Sequence, residues 1–148
     1  MDEVVSDLSA LASFLTTADP QLTMEHVGKG LRVTLPDEGG TFLLEWEERG
    51  LLHVRMLVGV AGQPHLGAVM ELLSDTNSKL GILGFVLHRP SGVIEYRLTV
   101  FRDPAGAIAS RLVGEAMVTA QQTVATVAPQ IAALCRDDVP EIPSWWAE

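Results

Sequence analysis

Alternating apolar and polar positions predict five β-strands along this chain. The predicted strands span residues 31–35, 41–47, 51–60, 82–88 and 93–101. In the third strand Val54 and Met56 share one face, whereas His53 and Arg55 share the other, as the two-residue period of a strand requires. Turn-forming residues separate the strands, so we expect a three-stranded meander followed later by a hairpin.

Apolar residues three and four positions apart predict three helices, at residues 2–17, 65–80 and 106–135. The order of elements is therefore α-β-β-β-α-β-β-α. This order predicts the α+β class, with one antiparallel sheet and helices packed on one of its faces. We expect a single domain over residues 1–136 and an acidic, tryptophan-containing tail over 137–148.

The reversal between the second and third strands makes two specific predictions. Gly50 is free to take the positive φ that a tight turn demands. Antiparallel pairing then places Glu45 and Glu47 near His53 and Arg55. This is a favourable cross-strand charge pattern that needs no functional explanation.

The formal net charge of −9 over 148 residues argues against nucleic-acid binding, because the surface would repel a phosphate backbone. A basic protein is a more natural partner, although the charge also serves solubility alone. The mean hydropathy of +0.25 is high for a soluble domain with few aromatic residues. We therefore expect a second subunit or a client protein to cover some of the apolar surface.

Several features predict a cytoplasmic protein that does not enter membranes. Asp2 and Glu3 stand where a secretory signal would carry positive charge. No apolar run reaches the ~18 residues that span a bilayer. Cys135, the single cysteine, cannot form an internal disulfide.

The sequence offers no evident catalytic, metal or cofactor site. The four histidines fit no zinc-binding spacing, and no phosphate-cradling loop or dinucleotide fingerprint occurs. Glu71 and Asp75 lie four residues apart on the second helix and so face the same way. They are either paired carboxylates or, as we favour, part of a solvated face.

Three features are candidates for binding another protein. Leu66, Val69, Met70 and Leu73 form an apolar row on the second helix, which either closes the domain's own core or forms a symmetric dimer seam. Trp145-Trp146 in the tail provides rigid apolar surface for a neighbour, a client or its own domain. A free edge of the sheet is able to accept a strand from an extended client.

The order of elements, together with residues 66–134, resembles the YbjN-like family, which shares its fold with the type III secretion chaperones. The residues that carry the resemblance are the helix end LLSDTNSKLG with Asn77, the hairpin FVLHRPSGVIEYRLTV with Tyr96-Arg97, and the helix segment TVATVAPQIAAL. Ser74 stands where family members often have a second asparagine. The resemblance implies a non-enzymatic, often dimeric binding domain.

These observations lead to one functional hypothesis and one alternative. We expect a chaperone-like adaptor, a homodimer that binds a segment of a partner protein without a cofactor. The alternative is a small-molecule sensor or enzyme whose pocket lies between the sheet and the helices.

Overall fold

A computed structural model describes residues 3–37, 39–80, 84–89 and 91–135, and within these ranges it contains three α-helices and eight strands. The helices are α1 (Leu8–Ala18), α2 (Leu66–Leu80) and α3 (Ser110–Leu134). The strands are β1 (Val4–Val5), β2 (Thr23–Val27), β3 (Gly30–Thr34), β4 (Thr41–Glu47), β5 (Leu51–Val60), β6 (Phe85–Leu87), β7 (Val93–Phe101) and β8 (Ile108–Ala109). The expected α+β class is confirmed.

Six strands form one antiparallel sheet in the order β2-β3-β4-β5-β7-β6. Alternate residues such as Leu44, Val54 and Tyr96 point to the same side and are almost fully buried. Side chains of all three helices, among them Leu11 and Val69, belong to the same buried cluster. The helices therefore cover one face of the sheet, as the sequence predicts, because only that face carries a continuous apolar surface.

A separate two-stranded ribbon joins the start of the chain to the start of α3. Val4 and Val5 of β1 pair with β8, and the side chain of Val5 is buried in the core. The backbone N–H of Ser110 donates to the carbonyl oxygen of Glu3 at 2.9 Å, and the Ser110 hydroxyl donates to the same oxygen at 3.1 Å. The ribbon thereby fixes where α3 begins.

Two predicted helix starts and the predicted number of strands in the meander are wrong. The first helix begins at Leu8 rather than at residue 2, because the side chain of Asp7 caps it by accepting from the N–H of Ala10 and the two valines before it are paired in β1. The third helix begins at Ser110 rather than at 106, because β8 precedes it. The meander has four strands instead of three, because residues 23–27 form β2 and pair with β3. The side chains of β2 are mostly exposed and show little alternation, so the sequence pattern does not predict this strand.

Two glycines take the left-handed conformation at hairpin turns. Gly50 has φ +88°, which confirms the expected tight reversal, and a Cβ there would meet open space. Gly92 has φ +81°, and a Cβ there would lie 1.9 Å from the carbonyl oxygen of Ala61. Only glycine therefore allows the β6–β7 turn to approach the end of β5 this closely.

Asn77 connects the end of α2 to the edge strand β6. Its side-chain amide donates to the carbonyl oxygen of Phe85 at 2.9 Å, and its side-chain oxygen accepts from the N–H of Phe85 at 2.8 Å. This pair of bonds reproduces what a neighbouring strand would supply. The asparagine that carries the family resemblance thus has a structural role, which is to close part of the β6 edge.

Candidate functional site

The apolar row on α2 packs mainly on the domain's own core. Val69 and Leu73 are almost fully buried, and Leu66 is half-buried against the core. Met70 is 39% exposed and lies beside Arg89 of the β6–β7 turn. Of this row, Met70 therefore offers the most apolar surface to a partner. Trp145 and Trp146, together with the rest of the proposed tail at 137–148, lie outside the described residues.

A groove runs between α2 and α3 on the outer side of the helical layer. Its wider section, of about 840 Å³, is lined by α2 residues from Ala68 to Ser78 and by Leu134 at the end of α3. Its narrower section, of about 340 Å³, continues along α2 to Lys79 and along α3 back to Thr123. Leu72 and Asp75 line both sections, so the two sections belong to one groove, which we call the α2–α3 groove. From Ala68 to Lys79 the helical rise gives a length of about 16 Å.

The α2–α3 groove combines an apolar floor with acidic side chains. Leu72, Val127 and Leu134 supply aliphatic surface. Glu71 and Asp75 line the wider section, which confirms that they share one side of the helix. The Nζ atom of Lys79 lies 3.0 Å from a carboxylate oxygen of Asp75, and both side chains are largely exposed. Because Lys79 already balances Asp75, Glu71 is the acidic side chain that suits the groove to an amphipathic segment with positive charge.

Leu72 is the groove residue that the sequence pattern did not single out. It lies one residue before Leu73, on the adjacent side of the helix, and forms a second row with Ala68. This row holds only one large apolar residue beside small and polar ones. The stronger row at 66, 69 and 73 therefore dominates the periodicity, and the groove becomes visible only once α3 is placed beside α2.

Among the described residues, the opposite side of the six-stranded sheet carries charged side chains and no helix. We call this side the open face; the helix residues of the main core cluster all lie on the other side. At its centre Glu95 is fully buried, and its carboxylate accepts from Nε and Nη2 of Arg55 at 3.0 and 2.8 Å. Arg97 donates to the same carboxylate at 2.6 Å, and Nε2 of His88 lies 3.4 Å from it. Two guanidinium groups therefore stabilise one buried carboxylate.

Cross-strand register places three arginines in one row across the open face. Arg32, Arg55 and Arg97 are aligned through β3, β4, β5 and β7. Arg32 bonds to Glu25, and Nη1 of Arg55 donates to Glu45 at 3.1 Å, which confirms the predicted proximity of Glu45 and Arg55. Because each arginine has a carboxylate partner, the row is neutralised and does not form a basic patch for nucleic acid.

Glu47 lies at one end of the open face and bonds to His53, as the charge pattern predicts. Nδ1 of the same imidazole lies 2.9 Å from the hydroxyl of Thr99. The hydrogen bond from His53, with a second from Arg49, holds the pKa of the Glu47 carboxyl below its usual range. Glu47 is therefore a charged acceptor at neutral pH.

Apolar residues interrupt the charges of the open face. Leu43 and Val93 are buried there, with Leu57 and Val60 packed against them. Phe101 pairs with Leu51 at the end of β7 and is 77% exposed. Phe101 is the most exposed large apolar side chain among the described residues.

The described ranges show neither a cluster suited to a metal ion nor a helix suited to a membrane. There, no group of three or more His, Cys, Asp and Glu side chains is arranged to hold a metal ion. None of the helices described is both long and apolar enough to cross a bilayer. Cys135, the single cysteine of the chain, is buried at the end of α3.

Comparison with known proteins does not assign a family. No protein-family model matches the chain, and a search of curated proteins finds no match. The similarity to the YbjN-like family stays a prediction from the sequence.

Proposed function

We propose that this protein is a non-enzymatic, chaperone-like adaptor of the cytoplasm, a homodimer that binds a basic, amphipathic segment of a partner protein in the α2–α3 groove. The observation that carries the proposal is the combination of an aliphatic floor at Leu72 and Leu134 with the carboxylates of Glu71 and Asp75. The resemblance to the YbjN-like family and to the secretion chaperones supports a binding role over a catalytic one.

The groove dimensions favour a short segment. About 16 Å accommodates roughly eleven residues of helix or five of extended chain. A helix with apolar residues at i, i+3, i+4 and i+7 would place one face on Leu72, Val127 and Leu134 and its lysines or arginines beside Glu71 and Asp75. The net charge of −9 further favours a basic segment by attracting it before contact.

Site-specific photo-crosslinking identifies the segment. A photoreactive residue at Ala68, which lines the groove, is expected to capture it in the native cell. The same residue at Val118, which is 51% exposed elsewhere on α3, serves as the control. We expect a basic, amphipathic segment from Ala68 only. Equal capture from both positions would contradict a specific groove.

The captured segment is then synthesised and its affinity is measured by fluorescence anisotropy. Glu71→Lys should weaken binding about tenfold, because a rim attraction of up to about 1 kcal/mol turns into repulsion. Glu48→Lys makes the same change of charge in the β4–β5 turn, at the other end of β5 from α2, and should weaken it far less. Similar losses in both variants would indicate general charge attraction without a groove.

A further inference from the structure

We infer that the α2–α3 groove holds its client in one orientation, with a basic half of the segment at the wider section and a neutral or acidic half at the narrower section. The inference rests on the proposed function and specifies the partner of the same site, since it names Glu71 and Lys79 as the residues that set the orientation. The first observation behind it is that Glu71 lines the wider section, whereas Lys79 lines the narrower one.

The two sections of the groove differ in charge. Glu71 is exposed and forms no ion pair with any other residue that the structure describes. At the narrower section the Nζ atom of Lys79 lies 3.0 Å from a carboxylate oxygen of Asp75, so these two charges balance. The α3 residues that line the narrower section are uncharged. A lysine of the client therefore finds a carboxylate at Glu71, whereas at the narrower section it must compete with Lys79 for Asp75.

The two ends of the groove are far enough apart to act on a bound segment separately. From Glu71 to Lys79 the helical rise gives a distance of about 12 Å along α2. Exposed charges are screened over about 8 Å at physiological salt. A charge held at one section is therefore governed mainly by the side chains of that section.

The apolar floor of the groove does not distinguish the two orientations. Leu134 lies at the wider section, Val127 lies at the narrower section, and Leu72 lines both. Each end thus offers an aliphatic residue to the apolar face of a segment. Because apolar contacts hold either orientation, the charged side chains select between them.

The preference for the inferred orientation should be about tenfold. An exposed ion pair is worth up to about fivefold in affinity. Turning the segment around removes the attraction between its lysines and Glu71 and sets its uncharged or acidic half beside that carboxylate. Its lysines then meet Lys79, which already bonds to Asp75. The two changes together give the expected preference.

Two synthetic peptides of roughly eleven residues, the helical length that fits the groove, test the charge pattern. Both carry leucines at i, i+3, i+4 and i+7 and the same set of lysines and glutamates, with lysines in excess. In the first peptide the lysines fill one half and the glutamates the other, and in the second they are evenly mixed. We expect the first peptide to bind the full chain at least fivefold more tightly in fluorescence anisotropy. Equal affinities would overturn the inference.

The orientation itself is mapped with a photoreactive residue at the lysine end of the first peptide. Mass spectrometry of the crosslinked product should locate the link near Leu134, in the wider section, and not near Thr126, in the narrower section. Moving the photoreactive residue to the glutamate end should exchange these two positions. Links from the lysine end to both sections in equal amounts would contradict a fixed orientation.

A double variant, Glu71→Lys with Lys79→Glu, leaves the net charge at −9 and should turn the peptide around, so that its lysine end links to the narrower section. Lys29→Glu with Glu48→Lys exchanges another lysine–glutamate pair, in the β2–β3 and β4–β5 turns, and is the matched control whose links should not move. Circular dichroism checks that each variant is folded. If the double variant is not, Lys79→Gln replaces it, and the lysine end should then link to both sections because Asp75 is no longer balanced.

The outcomes separate this inference from the proposed function. If the first peptide binds without a fixed orientation, or if the exchange of charges leaves its links where they were, the inference is overturned while the groove remains a binding site. If neither peptide binds the full chain, the groove is not a site for amphipathic segments, and the proposed function and this inference both fail.

Discussion

Glu95→Gln should destabilise the protein more than any other carboxylate-to-amide change on the open face. The carboxylate is fully buried, and the hydrogen bonds that it accepts include two from Arg55 and one from Arg97, each of 3.0 Å or less. Glutamine has the same shape but no charge, and it turns an amide NH₂ towards the guanidinium groups. Arg55 then keeps its bond to Glu45 but loses the buried carboxylate that balances its charge.

The expected cost follows from burial. Removing one partner of a buried ion pair costs about 3–5 kcal/mol, and we take the lower end, about 3 kcal/mol, because Arg55 keeps its bond to Glu45. For a chain of this length 1 kcal/mol lowers Tm by about 3 °C, so the expected loss is about 9 °C. The loss is a large part of the 5–15 kcal/mol that usually stabilises a domain.

Urea unfolding followed by circular dichroism measures the loss, at one protein concentration for all variants because association also stabilises the folded state. Glu45→Gln is the matched control, because the Glu45 carboxylate also accepts a hydrogen bond from Arg55 but its side chain is 38% exposed. The control should cost no more than about 1 kcal/mol. Equal losses in the two variants would refute the reasoning, because burial would then make no difference to the value of the pair.

Three further predictions concern a turn, the β6 edge and a titrating pair. Gly50→Ala should lower the free energy of unfolding in urea by about 1 kcal/mol, because of the positive φ alone. Gly92→Ala should lower it by at least about 3 kcal/mol, because the added Cβ would also meet the backbone of Ala61. Similar losses in the two variants would disprove the close approach. Asn77→Ala should lower the free energy of unfolding by about 2 kcal/mol and accelerate amide hydrogen exchange at Phe85, because both hydrogen bonds to the Phe85 backbone are lost. Unchanged exchange at Phe85 would contradict these bonds. Because the pKa of Glu47 is lowered in the folded protein, this carboxyl adds stability that is fully present above the pKa of a glutamate in the unfolded chain, about 4.3, and is lost as the pH falls through the folded pKa. Glu47→Gln should therefore flatten the fall in Tm between about pH 6 and 3. An unchanged slope would exclude this contribution.

The elements with strong alternation were predictable from the sequence. Leu44 and Val54 belong to strands in which one face is apolar and the other polar, so their period fixes both the element and its buried side. The confirmed positive φ of Gly50 and the pairing of Glu45 with Arg55 follow from the same local pattern, because the turn sets the register of the two strands.

The remaining features depend on contacts between distant parts of the chain. Val4 and Val5 continue the helical period of the residues after them, and only β8, more than a hundred residues later, converts them into a strand. The row of Arg32, Arg55 and Arg97 likewise arises from register across four strands, and no window of sequence contains it. The α2–α3 groove also exists only once both helices are placed.

The β1–β8 ribbon has a consequence for the order in which the molecule is completed during translation. Val5 leaves the ribosome early, but its pairing partner Ile108 is synthesised more than a hundred residues later. At a usual rate of 5–20 residues per second, the N-terminal strand waits about 5–20 s for that partner. During this interval β1 has no β8 to pair with, so the ribbon forms only after the start of α3 emerges.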